Sequence, residues 1–160
     1  MAAPLLALRQ GHSALSVGVL LALFSLTQVF LANQVGVSDF LGSTQNRLSI
    51  NDSRFERNSL GLDIYESVST VRQCLFTGNT SAGIVVSPGS VNVRASEFWG
   101  NATAIRALSG GTARVSRSHV FGNSTGFLAD AGSTFISSGT SVVRRNTTNT
   151  TGTITTTPEQ

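Results

Sequence analysis

Hydrophobic and polar positions recur along the chain with a period of about 22 residues, from residue 48 to residue 146. Each unit has a large apolar residue and an asparagine three positions later, and in the first four units a small residue and another apolar one follow. Because a unit of this size cannot bury its apolar face alone, the repeat predicts stacked copies of one structural element. The paired apolar and asparagine positions are Phe55 and Asn58, Phe76 and Asn79, Phe98 and Asn101, Val120 and Asn123, and Val143 and Asn146.

Each unit also contains short stretches in which apolar and polar residues alternate, as strands require, and no stretch has a long helical period. Parallel stacking of such strands places equivalent residues about 4.8 Å apart. We therefore expect Phe55, Phe76 and Phe98 to form an internal aromatic stack. We expect the asparagine column to form an internal hydrogen-bonded ladder, although several of its members lie in N-x-[ST] sequons. The predicted ladder residues are Asn58, Asn79, Asn101 and Asn123.

This pattern resembles the parallel β-helix repeat, the right-handed solenoid of pectate-lyase-like proteins. The resemblance covers residues 48–146. The segment Phe135–Gly139, followed by Asn146, is also similar to the irregular last coil of small secreted bacterial β-helix proteins of unassigned function. The resemblance implies an all-β fold, a right-handed parallel β-helix of about four to five coils.

Two interpretations of the N-terminal region stay open. Residues 14–32 form a run of 19 mostly apolar residues, which fits a signal peptide or a membrane anchor. Phe30, Asn33 and Gly36 are in step with the repeat, which fits a partial first coil. The threonine-rich C-terminus has little apolar content, so we expect a solvated tail lying across the last coil. The chain is divided into an apolar N-terminal segment over 1–35, β-helix repeats over 36–146 and a tail over 147–160.

Composition narrows the functional classes. Only 12% of the residues are charged, and the net charge of +3 comes from eleven arginines and no lysine against eight acids. This is not the dense basic run of a nucleic-acid-binding arm, so no nucleic-acid partner is predicted. The single cysteine, Cys74, excludes an internal disulfide and a multi-cysteine metal site. We predict no metal, no cofactor, and membrane contact only through the N-terminal apolar segment.

The arginines provide the candidate binding surface. Arg72 and Arg94 occupy one column on adjacent coils and follow inward-facing valines, so both should project to solvent. A guanidinium donates a planar fork that suits carboxylate or sulfate groups, and Trp99 and Tyr65 offer surfaces for sugar stacking. We therefore expect acidic polysaccharide as the partner. The predicted ligand-binding residues are Arg54, Arg72, Arg94, Arg114 and Arg117.

The acidic residues do not predict a catalytic cluster. Polysaccharide lyases and glycosidases of the resembled family use grouped carboxylates, whereas no column of this repeat carries two acids. We assign no catalytic residue and predict a non-catalytic module, structural or contacting acidic glycans, located outside the cell or in its envelope. The alternative is a degenerate or partial carbohydrate-active enzyme of lyase or glycosidase type, which three or more acids converging in a groove would favour.

Overall fold

The structure is a computed structural model that describes residues 37–38 and 47–158. All the regular elements in these ranges are β-strands, and all their pairings are parallel. In chain order the strands are β1 (Val37–Ser38), β2 (Arg47–Asn51), β3 (Arg54–Glu56), β4 (Leu60–Ile64), β5 (Ser67–Arg72), β6 (Leu75–Thr77), β7 (Ala82–Val86), β8 (Gly89–Arg94), β9 (Glu97–Trp99), β10 (Thr103–Ala107), β11 (Gly111–Ser116), β12 (His119–Phe121), β13 (Thr125–Ala129), β14 (Thr134–Ser138), β15 (Val142–Arg144), β16 (Thr148–Thr151) and β17 (Ile154–Thr157).

Each coil contributes one strand to each of three parallel sheets. Sheet I has the order β1-β4-β7-β10-β13-β16, sheet II the order β2-β5-β8-β11-β14-β17, and sheet III the order β3-β6-β9-β12-β15. Neighbouring strands come from successive coils, so equivalent residues of the repeat pair directly, as Phe76 does with Phe55 and Phe98. Five coils run from β2 to β16, which confirms the predicted all-β parallel solenoid with a spacing of about 22 residues.

Single residues in the left-handed conformation turn the chain between sheets. At the corner from sheet II to sheet III these residues have φ values of 48–52°, and they include Asp52, Gln73, Ala95 and Arg117. At the corner from sheet III to sheet I the equivalent position is glycine in three coils and arginine in two. Glycine suits this position because it has no Cβ to oppose a positive φ. One such residue bends the chain without a long loop, so every coil keeps nearly the same length.

The core between the sheets consists of regular columns of apolar side chains. Phe55, Phe76 and Phe98 stack with ring centroids 4.7 and 4.8 Å apart and rings within 6° of parallel, which confirms the predicted aromatic stack. Aliphatic columns from sheets I and II fill the remaining space and are at most 2% exposed; they include Leu62, Ile64, Val71, Ile84, Val86, Val91, Val93, Ile105 and Val115. Burial of these columns is the main force that holds the coils together.

The C-terminal residues differ from the expected solvated tail over 147–160. Strand β16 pairs with β13, and β17 pairs with β14, so residues 148–157 continue two of the sheets in register. Most of their side chains are exposed, as expected, but β-branched threonine favours the extended backbone. The sequence pattern missed these strands because the column of a large apolar residue followed by asparagine ends at residue 146.

At the other end, β1 extends sheet I by pairing Val37 with Leu62. This offset of 25 residues is the same as the offset between Asn33 and Asn58 that suggested a partial first coil. The apolar run over 14–32, with its two interpretations, lies outside the described residues. Within the described part, no helix is long and apolar enough to cross a membrane.

Candidate functional site

The corner between sheets III and I is filled by asparagine side chains. Asn79 Nδ2 donates to Asn101 Oδ1 at 2.7 Å, and Asn101 Nδ2 donates to Asn123 Oδ1 at 2.9 Å. Asn101 Nδ2 also donates to the Phe76 carbonyl of the preceding coil at 3.0 Å. These three asparagines are at most 2% exposed, so their sequons are not accessible to a glycosylating enzyme. Asn58 is similarly buried, and its backbone N–H donates to Asn79 Oδ1.

The last link of this ladder is local. Asn146 Nδ2 donates to Oδ1 of Asn149, which lies only three residues later in the chain. The other links join residues 21–23 positions apart on successive coils. Asn149 is exposed, and its Oδ1 also accepts from the backbone N–H of Asn146, so the ladder ends there.

A second ladder, which the sequence analysis did not identify, fills the corner between sheets II and III. The backbone N–H of Cys74 donates to Ser96 Oγ at 3.1 Å, and that of Ser96 donates to Ser118 Oγ at 3.2 Å. Ser96 Oγ in turn donates to the carbonyl of Arg94 at 3.0 Å. The sequence contains a signal for this ladder, because serine occupies the column in four of five coils. The ladder fixes the end of each sheet II strand, where two of the predicted arginines project.

The outward face of sheet II carries a groove of about 460 Å³ bordered by three of the predicted arginines. Arg72 and Arg94 are register partners on β5 and β8. Arg114, on β11, pairs with Asn92 and is therefore displaced diagonally from Arg94. All three side chains are exposed. Among the described residues, the rest of the lining includes no acid; it consists of Thr70, Asn92, Val93, Val115, Ser116, Ile136, Ser138, Thr157 and Pro158.

Two of the three arginines that border the groove, Arg72 and Arg114, form no ion pair with an acid among residues 47–158. Equivalent positions on adjacent strands lie about 4.8 Å apart, so like charges there repel unless solvent or an anion intervenes. Arg72 and Arg94 thus hold two positively charged side chains on adjacent strands of the groove.

The structure does not bring the five predicted arginines onto one face. Arg54 lies on β3 in sheet III, where its Nε donates to Oε1 of Glu56 at 2.9 Å. Arg117 is exposed at the corner after β11, outside the lining of the groove. The expected positive face of five arginines therefore needs correction to a groove with three. Sequence spacing alone did not reveal that Arg54 lies past a corner, because one left-handed residue suffices to form that corner.

A family model for a right-handed beta-helix region matches residues 35–156, about three quarters of the chain. The chain belongs to the right-handed β-helix family. No curated protein and no solved structure matches it. The match includes the threonine-rich strands β16 and β17, in agreement with their place in the solenoid of this β-helix protein.

The acids among residues 47–158 of this β-helix do not gather in a groove. Asp130, which follows β13, accepts from Nη2 of Arg106 at 2.8 Å. Asp63 pairs with Val85, and Val85 pairs with Arg106, so Asp63 lies two coils from Arg106 in one column of sheet I. Burial raises the pKa of Asp63, and its register partner Val85 offers no charge. Among residues 37–38 and 47–158, no three His, Cys, Asp or Glu side chains lie close enough together to hold a metal ion. The carboxylates of the described part are thus isolated or paired with bases.

Cys74 occupies a serine position of the β-helix, and we expect its thiol to be unreactive in the folded protein. Its side chain is 2% exposed, and burial raises the pKa of the thiol, so little of the nucleophilic thiolate forms near neutral pH. A disulfide reagent such as DTNB should label native protein at least about 10-fold more slowly than protein unfolded in guanidinium, because labelling requires local opening. Equal rates in the two states would contradict the packed serine corner.

Proposed function

We propose that this β-helix protein is a non-catalytic module that binds acidic polysaccharide along the groove of sheet II. The observation that carries the proposal is the placement of Arg72, Arg94 and Arg114 on three successive coils of one groove, with no acid among the described residues that line it. A guanidinium donates two parallel hydrogen bonds to a carboxylate or a sulfate. A polymer with repeated anionic groups can bind several of these guanidinium groups at once.

The repeat of the solenoid suits a repeating ligand. Successive coils present their guanidinium groups at intervals of about 4.8 Å along the axis. A flexible polyanion that lies along this axis gains several weak contacts together, and the summed contacts give useful affinity. Because the three side chains are exposed, each contact should be modest and sensitive to salt.

The alternative, a degenerate or partial carbohydrate-active enzyme, has less support. Cleavage of a polysaccharide by acid–base chemistry requires carboxylates or another titratable group placed beside the bound sugar. Within residues 47–158, the polar side chains that line the groove are those of arginine, threonine, serine and asparagine, and none is a carboxylate. These groups can bind an anion and orient it, so the geometry favours binding.

The proposed ligand also suggests a location. Acidic polysaccharides are components of extracellular matrices and cell envelopes, so we propose that the protein acts there. The apolar run over 14–32 provides a candidate leader or anchor for that destination. Sequencing the N-terminus of the mature protein from its native host separates these two roles, since a start after residue 32 supports a cleaved leader, whereas an intact residue 1 contradicts cleavage and leaves the anchor.

Affinity chromatography tests the groove directly. Arg72→Gln/Arg94→Gln should elute from polyuronate resin at lower salt than the wild type, with affinity reduced about 2- to 30-fold, since exposed ion pairs contribute about 0.2–1 kcal/mol each. The matched control is Arg47→Gln/Arg57→Gln, which removes two exposed arginines outside the lining of the groove and gives the same net charge as the test variant. A sulfated resin run in parallel distinguishes carboxylate from sulfate ligands. Identical elution of the two double variants would show that net charge alone governs retention and would overturn the proposal.

A further inference from the structure

The outward face of sheet III exposes two aromatic side chains on adjacent coils. Trp99 on β9 and Phe121 on β12 are register partners and are 47% and 37% exposed. Trp99 is the only tryptophan of the chain. The other phenylalanines among residues 47–158 are all buried in the core. The exposed aromatic pair is therefore unusual in this molecule and is not explained by packing.

The backbone beside this pair leaves its flank open. Each aromatic residue is followed directly by a left-handed glycine, Gly100 or Gly122. An added Cβ at Gly122 would meet nothing within 4 Å, and one at Gly100 would meet only a backbone nitrogen at 3.8 Å. A ligand can therefore approach the rings from the corner between sheets III and I without a side chain in its path.

Polar side chains border the pair elsewhere. Glu97 and His119 form the neighbouring outward column, with Oε1 and Nδ1 3.8 Å apart and both side chains more than half exposed. Arg144 continues the aromatic column on the next coil, where it is the register partner of Phe121. Hydrogen-bond donors and acceptors thus lie beside and beyond the two rings.

We infer that Trp99 and Phe121 form a stacking site for the uncharged pyranose rings of a glycan chain that runs along the solenoid axis. A pyranose ring has an apolar face of C–H groups and an equatorial rim of hydroxyls. The two aromatic side chains can cover the apolar face, and Glu97, His119 and Arg144 can form hydrogen bonds with the hydroxyls. The coil spacing of about 4.8 Å is close to the length of one sugar residue in an extended chain. This site lies on a different sheet from the arginine groove and does not depend on it.

The size of the pair favours a small ring over a second protein. Aromatic side chains bury about 150–250 Å² each when fully covered, so two partly exposed ones offer on the order of 200 Å². A stable protein interface needs about 800 Å² on each partner. The charged neighbours Glu97, His119 and Arg144 interrupt the apolar surface around the pair. One or two sugar rings match its dimensions better than a copy of this chain does.

The single tryptophan gives a direct measurement. The full chain is titrated with cellohexaose, xylohexaose and mannohexaose to about 10 mM, which detects millimolar affinity. At least one of these neutral sugars should shift the Trp99 emission saturably. The shift should persist in about 0.5 M NaCl, which screens exposed charges within a few Å. Arg72→Gln/Arg94→Gln should bind the same sugar equally well, so failure of the groove proposal would not affect this result.

Variants locate the site. Phe121→Ala should weaken binding about 2- to 12-fold, as expected for loss of one aromatic contact. Trp99→Ala should abolish the heat of binding in calorimetry, with an unchanged circular dichroism spectrum showing that it folds. Val68→Ala is the control because Val68 is 43% exposed but lies on β5 in sheet II, away from the two rings. Absence of a saturable response to all three sugars, or equal effects of Phe121→Ala and Val68→Ala, would overturn the inference. So would an emission shift that appears with rising protein concentration alone, since that indicates self-association.

Discussion

Replacing Phe76 with alanine should lower the free energy of unfolding by about 3–5 kcal/mol. Phe76 is fully buried, and its ring lies between Phe55 at 4.7 Å and Phe98 at 4.8 Å. The substitution removes two stacked contacts and leaves a cavity that the rigid coils above and below cannot close. Because a domain of this size is typically stable by only about 5–15 kcal/mol, the loss is a large share of the total.

Chemical denaturation followed by circular dichroism measures this effect. Phe76→Val should lose less than Phe76→Ala, since valine already occupies this column at Val120 and Val143. Tyr65→Ala is the surface control and should change stability by about 0.5 kcal/mol or less, because that side chain is half exposed. A midpoint for Phe76→Ala equal to that of the wild type would mean that the aromatic stack does not support the fold.

Replacing Asn101 with leucine should lower the free energy of unfolding by about 2–5 kcal/mol. Asn101 Oδ1 accepts from the backbone N–H of Asn79 at 3.1 Å and from its side chain at 2.7 Å. Asn101 Nδ2 donates to the carbonyl of Phe76. Leucine has a similar size but no polar atoms, and each buried group left without a partner costs about 1–3 kcal/mol.

The matched control is Asn92→Leu, the same substitution in the same coil at an exposed position on the outside of sheet II. Its stability should stay within about 0.5 kcal/mol of the wild type. Amide hydrogen exchange gives an independent readout, because the backbone N–H of Asn79 should lose protection in Asn101→Leu alone. Equal stability of the two leucine variants would mean that the ladder does not stabilise the corner.

The repeat could be predicted from the sequence because parallel stacking converts sequence periodicity into spatial alignment. Once Phe55, Phe76 and Phe98 recur with the same spacing, a stack is the arrangement that buries all of them. The strands β16 and β17 could not be found in this way. Their pairing is carried by backbone hydrogen bonds and β-branched threonine, neither of which depends on the column pattern.

The candidate sites were only partly accessible to the same reasoning. Alternation indicated that Arg72 and Arg94 face outward, since inward valines precede them. It did not indicate where the chain turns, so Arg54 was grouped with residues of another sheet. The aromatic pair required the register of sheet III, because Trp99 and Phe121 belong to a column that holds Glu56 and Thr77 on other coils. A column of mixed residues gives no repeat signal.

The local link from Asn146 to Asn149 has a consequence for folding. Recurring columns make the coils similar, so a chain that slips by one whole coil can still set asparagine over asparagine and Phe55 over Phe98. Such misregistered states differ little in energy and are the kinetic traps expected of a repeat protein. Within the described residues, Asn146 is the only asparagine of the column with an acceptor amide three residues ahead. Only the coil of Asn146 can therefore end the ladder with the asparagine amide fully bonded. This local hydrogen bond favours the native register over registers shifted by one coil.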